Sequence, residues 1–333
     1  MRRSTLLSVL LVGIIMLSCS QKSGDVQESV AGDPFAFTVD NAATVGTRDM
    51  KLNLPISAVY RYKAEQREEL MQDDSMSVTS VTTAFYTKKV TANNAGIITF
   101  TVRYDSIMET QVGKGMGADD KTVKYRSSDS ADRMNPKYMV VNSLIGKEVT
   151  ITITERGKIQ EISGLAGIVQ DIASRAPQPL SDTMRMQAAE QIKQVYYMQL
   201  VSQEHSSMPD APLDSTRSWS KDVVQQLPPV FLARSTMKYT ITGVGTRSKQ
   251  NVGRVDAVLN GTIGLVTDKI PVQVSRGVIS GKGSALVDVQ TGHTIHKVTS
   301  IRQELTATAP NPQTKKEETM KQVKVSSLTV VLL

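Results

Sequence analysis

At 333 residues, with 40% of them hydrophobic and 21% charged, the chain has an ordinary globular composition and not a disordered one. A core at this length needs no covalent staple, and a single cysteine can close no internal disulfide. The formal charge of +7 has no basic run behind it: Lys315-Lys316 is cancelled by Glu317-Glu318, and with only 5% aromatic residues a nucleic-acid surface has little support.

The chain opens on MRRSTLLSVLLVGIIMLSCS, where Arg2 and Arg3 precede an apolar run from Leu6 to Met16 and Ser18 stands before Cys19. This run is too short to cross a bilayer and is followed at once by polar residues, so it reads as a cleavable leader over residues 1–18. Met16-Leu17-Ser18-Cys19 resembles the lipobox of bacterial lipoproteins. That resemblance implies lipidation of Cys19, cleavage before it, and a mature chain anchored to a membrane, with the outer membrane facing the periplasm as the expected address. Residues 19–47 read as a flexible tether rich in Ser, Gly, Asp and Ala.

An N-terminal β half is expected over 48–162. Strands are expected from Lys51 onward, with Tyr60, Tyr62 and Ala64 on one face. Asn93-Asn94-Ala95-Gly96 is a turn signal, and Ile98, Phe100, Val102 and Tyr104 alternate with polar residues after it. Val149, Ile151 and Ile153 alternate with threonines in EVTITIT, and Glu155-Arg156-Gly157 turns the chain into KIQEI. The glycine-rich QVGKGMGADD is expected to be a mobile loop.

Over 163–208 the period becomes helical. Ile162, Leu165, Ile168, Val169 and Ile172 form one stripe, and a second helix starts at Ser181 or Asp182 and runs through Met184, Ala188, Ile192 and Val195 to about Glu204. From 209 to 333 the chain returns to strands, the last ending in Val331 to Leu333, expected to be paired and buried. Short connections make the strands antiparallel. The class is therefore α+β, mainly β, with hairpins in two halves, a curved half-barrel being one form, around a two-helix segment.

Three passages, NSLIGKEVTITITERGKIQEISG (142–164), DSTRSWSKDVVQQLP (214–228) and GKGSALVDVQTGHTIHKVTS (281–300), resemble an uncharacterised family of Gram-negative lipoproteins, a domain of unknown function. The second departs from that pattern, with Thr216-Arg217-Ser218 where a glycine is expected before Trp219. The resemblance implies the fold and the membrane address and carries no catalytic residues.

Chemical candidates are sparse. His293 and His296, three apart on a strand, point to opposite faces and so make a poor metal pair. His205, in the last turn of the second helix, is placed to be a cation against the helix dipole. Ser284 lacks a nucleophile elbow, and GVISGKG leads into a strand where a phosphate loop must open a helix, so its glycines suggest a bulge or bend. Asp288, Thr291 and Gly292 make a self-bonded turn. Asp73-Asp74 and Asp119-Asp120 are expected to be solvated loop carboxylates, and Trp219 a packing anchor.

These readings predict a non-enzymatic binding or envelope-assembly protein with no cofactor and no metal site; the alternative is a carrier of an apolar ligand or lipid in a curved-sheet cavity, and a hydrolase without a recognisable motif comes third. The expected partner is the membrane, through lipid on Cys19, with an envelope protein or an apolar ligand as further partner and no nucleic acid. The binding alternative expects an enclosed cavity lined by Ile168, Ile172, Met184 and Ile192.

Overall fold

A computed structural model of the chain describes residues 33–39, 49–115, 121–205, 208–227, 230–267, 270–311 and 314–333. The leader, Cys19 and Asp119-Asp120 lie outside the described residues.

Thirteen strands form one antiparallel sheet. In chain order they are β1 (Thr38–Val39), β2 (Val59–Gln72), β3 (Met76–Asn94), β4 (Ile97–Lys114), β5 (Lys121–Arg126), β6 (Glu148–Thr154), β7 (Ile159–Ser163), β8 (Ser218–Leu227), β9 (Phe231–Arg247), β10 (Gln250–Leu265), β11 (Gln273–Asp288), β12 (Thr294–Pro310) and β13 (Glu317–Leu332). Helices α1 (Ser130–Met134) and α2 (Met139–Leu144) lie between β5 and β6. Helices α3 (Ala166–Arg175), α4 (Asp182–Ile192) and α5 (Gln199–His205) lie between β7 and β8.

The two expected halves are parts of a single sheet, because β13 lies against β2. This seam is thin. Leu332 pairs with Tyr62, Leu333 donates its N–H to the Arg61 carbonyl at 2.8 Å, and at the far end Asp73 donates to the Lys321 carbonyl at 2.9 Å. Asp73 and Asp74 are therefore not simply solvated: Asp73 Oδ1 accepts the Lys321 N–H at 2.8 Å, and Asp74 takes the Lys321 ammonium at 2.9 Å. Leu333 is paired as expected but 66% exposed, so the chain end is not buried.

Alternation does what the sequence dictates in β4 and β6. Ile98, Phe100, Val102, Val149, Ile151 and Ile153 are fully buried, each side chain contributing about 1.5–3 kcal/mol, and the threonines between them face outward. Register then makes an aromatic row: Tyr62 is opposite Tyr86, and Tyr86 opposite Tyr104. Their rings follow at 5.3 and 6.3 Å, and Tyr104 meets Tyr197 of the helical segment at 5.7 Å. The inner face of the N-terminal strands is thereby joined to the helices.

Several expectations are corrected. Residues 51–58 form no strand, since Pro55 and a positive φ at Ser57 break it; Leu52 and Leu54 instead cap the sheet from an irregular segment. Within the expected tether, residues 33–39 are docked, with Phe35 edge-on to His296 at 4.9 Å and β1 paired to β9. Gln111–Lys114 belongs to β4 and not to a loop. The β11 glycines produce no bulge; its irregularities fall at Val274/Arg276 and Leu286/Val287. A side chain at Gly277 would meet the Ile263 carbonyl at 2.0 Å, so close strand approach explains that glycine. Helices α1 and α2 are too short to leave a period in the sequence, and α1 starts where Asp129 accepts the Ala131 N–H at 2.8 Å.

Candidate functional site

The helical segment crosses the inner face of the sheet and is anchored at its C-terminal end. Ser181 caps α4, accepting the Met184 N–H at 3.3 Å, in keeping with the sequence reading. Between α4 and α5 the residues Lys193–Met198 form a π-helical stretch. That stretch moves the buried line: it runs Ile192, Tyr197, Leu200 and Val201, so its first two members are five positions apart. Met184, expected inside, is 50% exposed, and Val195 faces a cleft. Extra-residue turns of this type are frequent at functional sites.

Two clefts flank this helix and share Val195, Gln199, Gln203 and Leu328 as walls. The larger, about 660 Å³, lies between the helix and strands β8, β9, β12 and β13. Its floor and sides are Val195, Met198, Val223, Met237, Tyr239, Ile301 and Leu328. Polar groups on its margin include Gln194, Ser202, Gln203 and Gln225, with Lys221 and Lys297 as charges. The second, about 340 Å³, lies over β2, β3 and β4 and is more polar, holding Glu68, Glu109, Gln66, Ser80 and Thr82. The larger one has the apolar lining with a few convergent polar groups that small-molecule sites show.

This cleft is not the cavity expected from the sequence. Ile168, Ile172 and Ile192 are packed in the core, and the opening lies further along the helix. Trp219 stacks on its cross-strand partner Tyr239 at 5.3 Å and 13°, a packing contact that also stiffens one cleft wall.

At the end of α5 sits a buried polar cluster. Lys88, reaching in from β3, is 2.9 Å from both carboxylate oxygens of Glu204, and both side chains are inaccessible to solvent. The Lys88 ammonium also lies 5.0 Å over the Phe100 ring and 5.4 Å over the Tyr62 ring. Thr294 donates to the Glu204 carbonyl at 2.8 Å, and the Lys297 ammonium to the Gln203 carbonyl. Strand β12 thus satisfies two of the last carbonyls of this helix, while β3 holds the Glu204 side chain. Apart from a lysine at an inward position of β3, no sequence signal points to this cluster.

The histidines are where their neighbours put them, and one expectation fails. His205 is buried and not a cation: burial, then Lys88, Lys297 and His293, hold its pKa well below the ordinary value. The helix dipole is outweighed by desolvation. Its two ring nitrogens find no hydrogen-bond partner among the described residues. His293 is lowered to about 4 by burial, with Asp288 opposing and Lys88 reinforcing. Its Nδ1 lies 2.6 Å from Thr291 Oγ, which donates to Asp288 at 2.9 Å. Asp288 also accepts the N–H groups of Gln290 and Thr291, and Gly292 takes φ +71, the self-bonded turn read from the sequence. His296 points elsewhere, onto Phe35. Ser284 donates to Asp256 at 2.6 Å. No group of three or more metal-ligating side chains assembles among the described residues, and no described helix is long and apolar enough to cross a membrane.

Residues 95–251 match a family of unknown function (DUF6263). The match runs from the turn before β4 to the start of β10, so it includes helices α1 to α5 and the β8 and β9 walls of the larger cleft, and excludes β11 to β13. No curated protein matches the chain. Among solved structures, lipovitellin, described for its lipid–protein interactions, aligns at 9% identity and TM-score 0.45 over 84% of this chain, which spans 25% of lipovitellin's length. An outer membrane channel from Pseudomonas putida F1 aligns at 9% identity and TM-score 0.22, covering 85% of this chain and 98% of the channel.

Proposed function

We propose that the chain is a non-enzymatic binding protein, held at a membrane surface by lipid on Cys19, that accommodates an apolar ligand between its helical segment and the inner face of the sheet. The observation that carries this reading is the 660 Å³ cleft walled by Val195, Met198, Val223, Met237 and Ile301. An apolar surface left open in this way gains roughly 25 cal/mol for each Å² that a ligand covers.

Native mass spectrometry of the chain purified gently from its own cells tests the binding half. A stoichiometric lipid-sized ligand is expected, and Val223→Trp, which fills the cleft, should reduce its occupancy at least tenfold. A protein that co-purifies in its place would favour an assembly role. The anchor has a separate test: Cys19→Ser should release the body from membranes, and continued retention would contradict it.

A further inference from the structure

The charges on the cleft identify the head of its ligand. Of the described residues lining it, Lys221 and Lys297 are cationic and none is acidic. Across the helix, the smaller cleft has the reverse sign, with Glu68 and Glu109. The two lysines do different things. Lys297 is buried, and its ammonium is given to the Gln203 carbonyl at the end of α5, a structural duty. Lys221 projects from edge strand β8, its side chain 23% exposed, and its ion-pair partner is Asp210 at 3.4 Å, a carboxylate 76% exposed. An exposed pair of that length is worth little and yields readily to a competing anion.

We infer that the larger cleft selects an amphiphile with a single apolar chain and an anionic head, carboxylate or phosphate, and that Lys221 is the head contact, exchanging Asp210 for the ligand. The chain lies along Val195, Met198, Val223, Met237 and Ile301, while Gln203 and Gln225 border the head. This rests on the reading of the cleft as an apolar binding site. It adds the sign of the head and the residue that reads it.

Displacement of a fluorescent naphthylamine probe from the full chain tests it with four ligands of equal length: laurate, dodecyl phosphate, dodecanol and dodecylamine. Laurate or dodecyl phosphate should displace the probe at least tenfold more effectively than dodecanol, with dodecylamine weakest, and the better of the two anions identifies the head chemistry. Lys221→Met should bring the anions down to the level of dodecanol. Asp210→Asn, which removes the competing carboxylate and leaves the wall intact, should widen the preference. Equal displacement by all four ligands overturns the head assignment and leaves the apolar site standing. A preference that survives Lys221→Met and is unmoved by Asp210→Asn overturns the role of Lys221. Failure of the probe and all four ligands to bind removes the apolar site itself.

Discussion

Lys88 and Glu204 are 116 residues apart in the chain and meet at 2.9 Å, with both carboxylate oxygens of Glu204 on one ammonium and neither side chain exposed. The pair fastens the end of the helical segment to the N-terminal strands, while Thr294 and Lys297 fasten the same turn to β12. Removing one partner strands the other charge in the core. Lys88→Met or Glu204→Leu alone should cost about 3–5 kcal/mol, and the double variant Lys88→Met/Glu204→Leu less than the sum of the singles. Urea unfolding midpoints of the four proteins measure the coupling; additive losses would mean the two groups do not depend on each other.

Stability should also fall in mild acid. His293 is held at about 4 against an ordinary 6.5, chiefly by burial, and His205 is pushed well below 6.5 by burial and by Lys88 and Lys297. Both folded values lie below the unfolded one. The unfolded chain therefore binds more protons between pH 6.5 and about 4, and the stability present above pH 6.5 is lost as pH drops through that window. Each such histidine supplies at most about 1.4 kcal/mol per pH unit. Guanidinium midpoints at pH 7.5 and 5.0 check the sign, and His293→Gln should flatten the slope. A midpoint that rises on acidification contradicts the assignment.

Gly157 joins the β6–β7 turn to this cluster. It holds φ +78, and a Cβ there would sit 2.7 Å from the His205 Cβ. Strain and clash act together, so Gly157→Ala should cost about 2–4 kcal/mol, more than a turn glycine with open space around it. Gly146, with φ +76 and no atom within 4 Å of the added carbon, is the control, and Gly146→Ala should cost about 1 kcal/mol. Comparable thermal shifts for the two variants would show that the His205 contact is unimportant.

The strands were legible because period two is a local signal. Val149, Ile151 and Ile153 announce their burial in the sequence and are buried, and the Asn93–Gly96 and Glu155–Gly157 turns fall where their residue types require. The joining of the halves was not legible, since the contact of Tyr62 with Leu332 and the clip of Asp73 and Asp74 on Lys321 are long-range and leave no period. The neutral state of His205 is hidden for a related reason: the dipole of its own helix can be read from the sequence, whereas Lys88 and Lys297 arrive from distant strands. The cavity expected at Ile168, Ile172, Met184 and Ile192 falls on α3 and α4, whereas the helical wall of the cleft is Gln194 to Gln203, in the π-helical stretch and α5, whose inward face no uninterrupted helical period marks.

That stretch gives a last prediction. Ile192 and Tyr197, both buried, are five apart, and deletion of Gln194 would set them four apart, the spacing of an uninterrupted α-helix. The flanking turns could then keep their contacts: Tyr197 with Tyr104, and Glu204 with Lys88. What would change is the part of the wall shared by the two clefts where Val195 now stands. A π-helical interruption retained for binding should be a stability cost, so the deletion variant should melt at the same temperature or a few degrees higher while losing at least tenfold in probe affinity. Circular dichroism melting and probe titration on the same preparation separate the two effects. A variant that melts well below the parent would make the interruption a packing necessity, and one that binds the probe unchanged would detach it from the cleft.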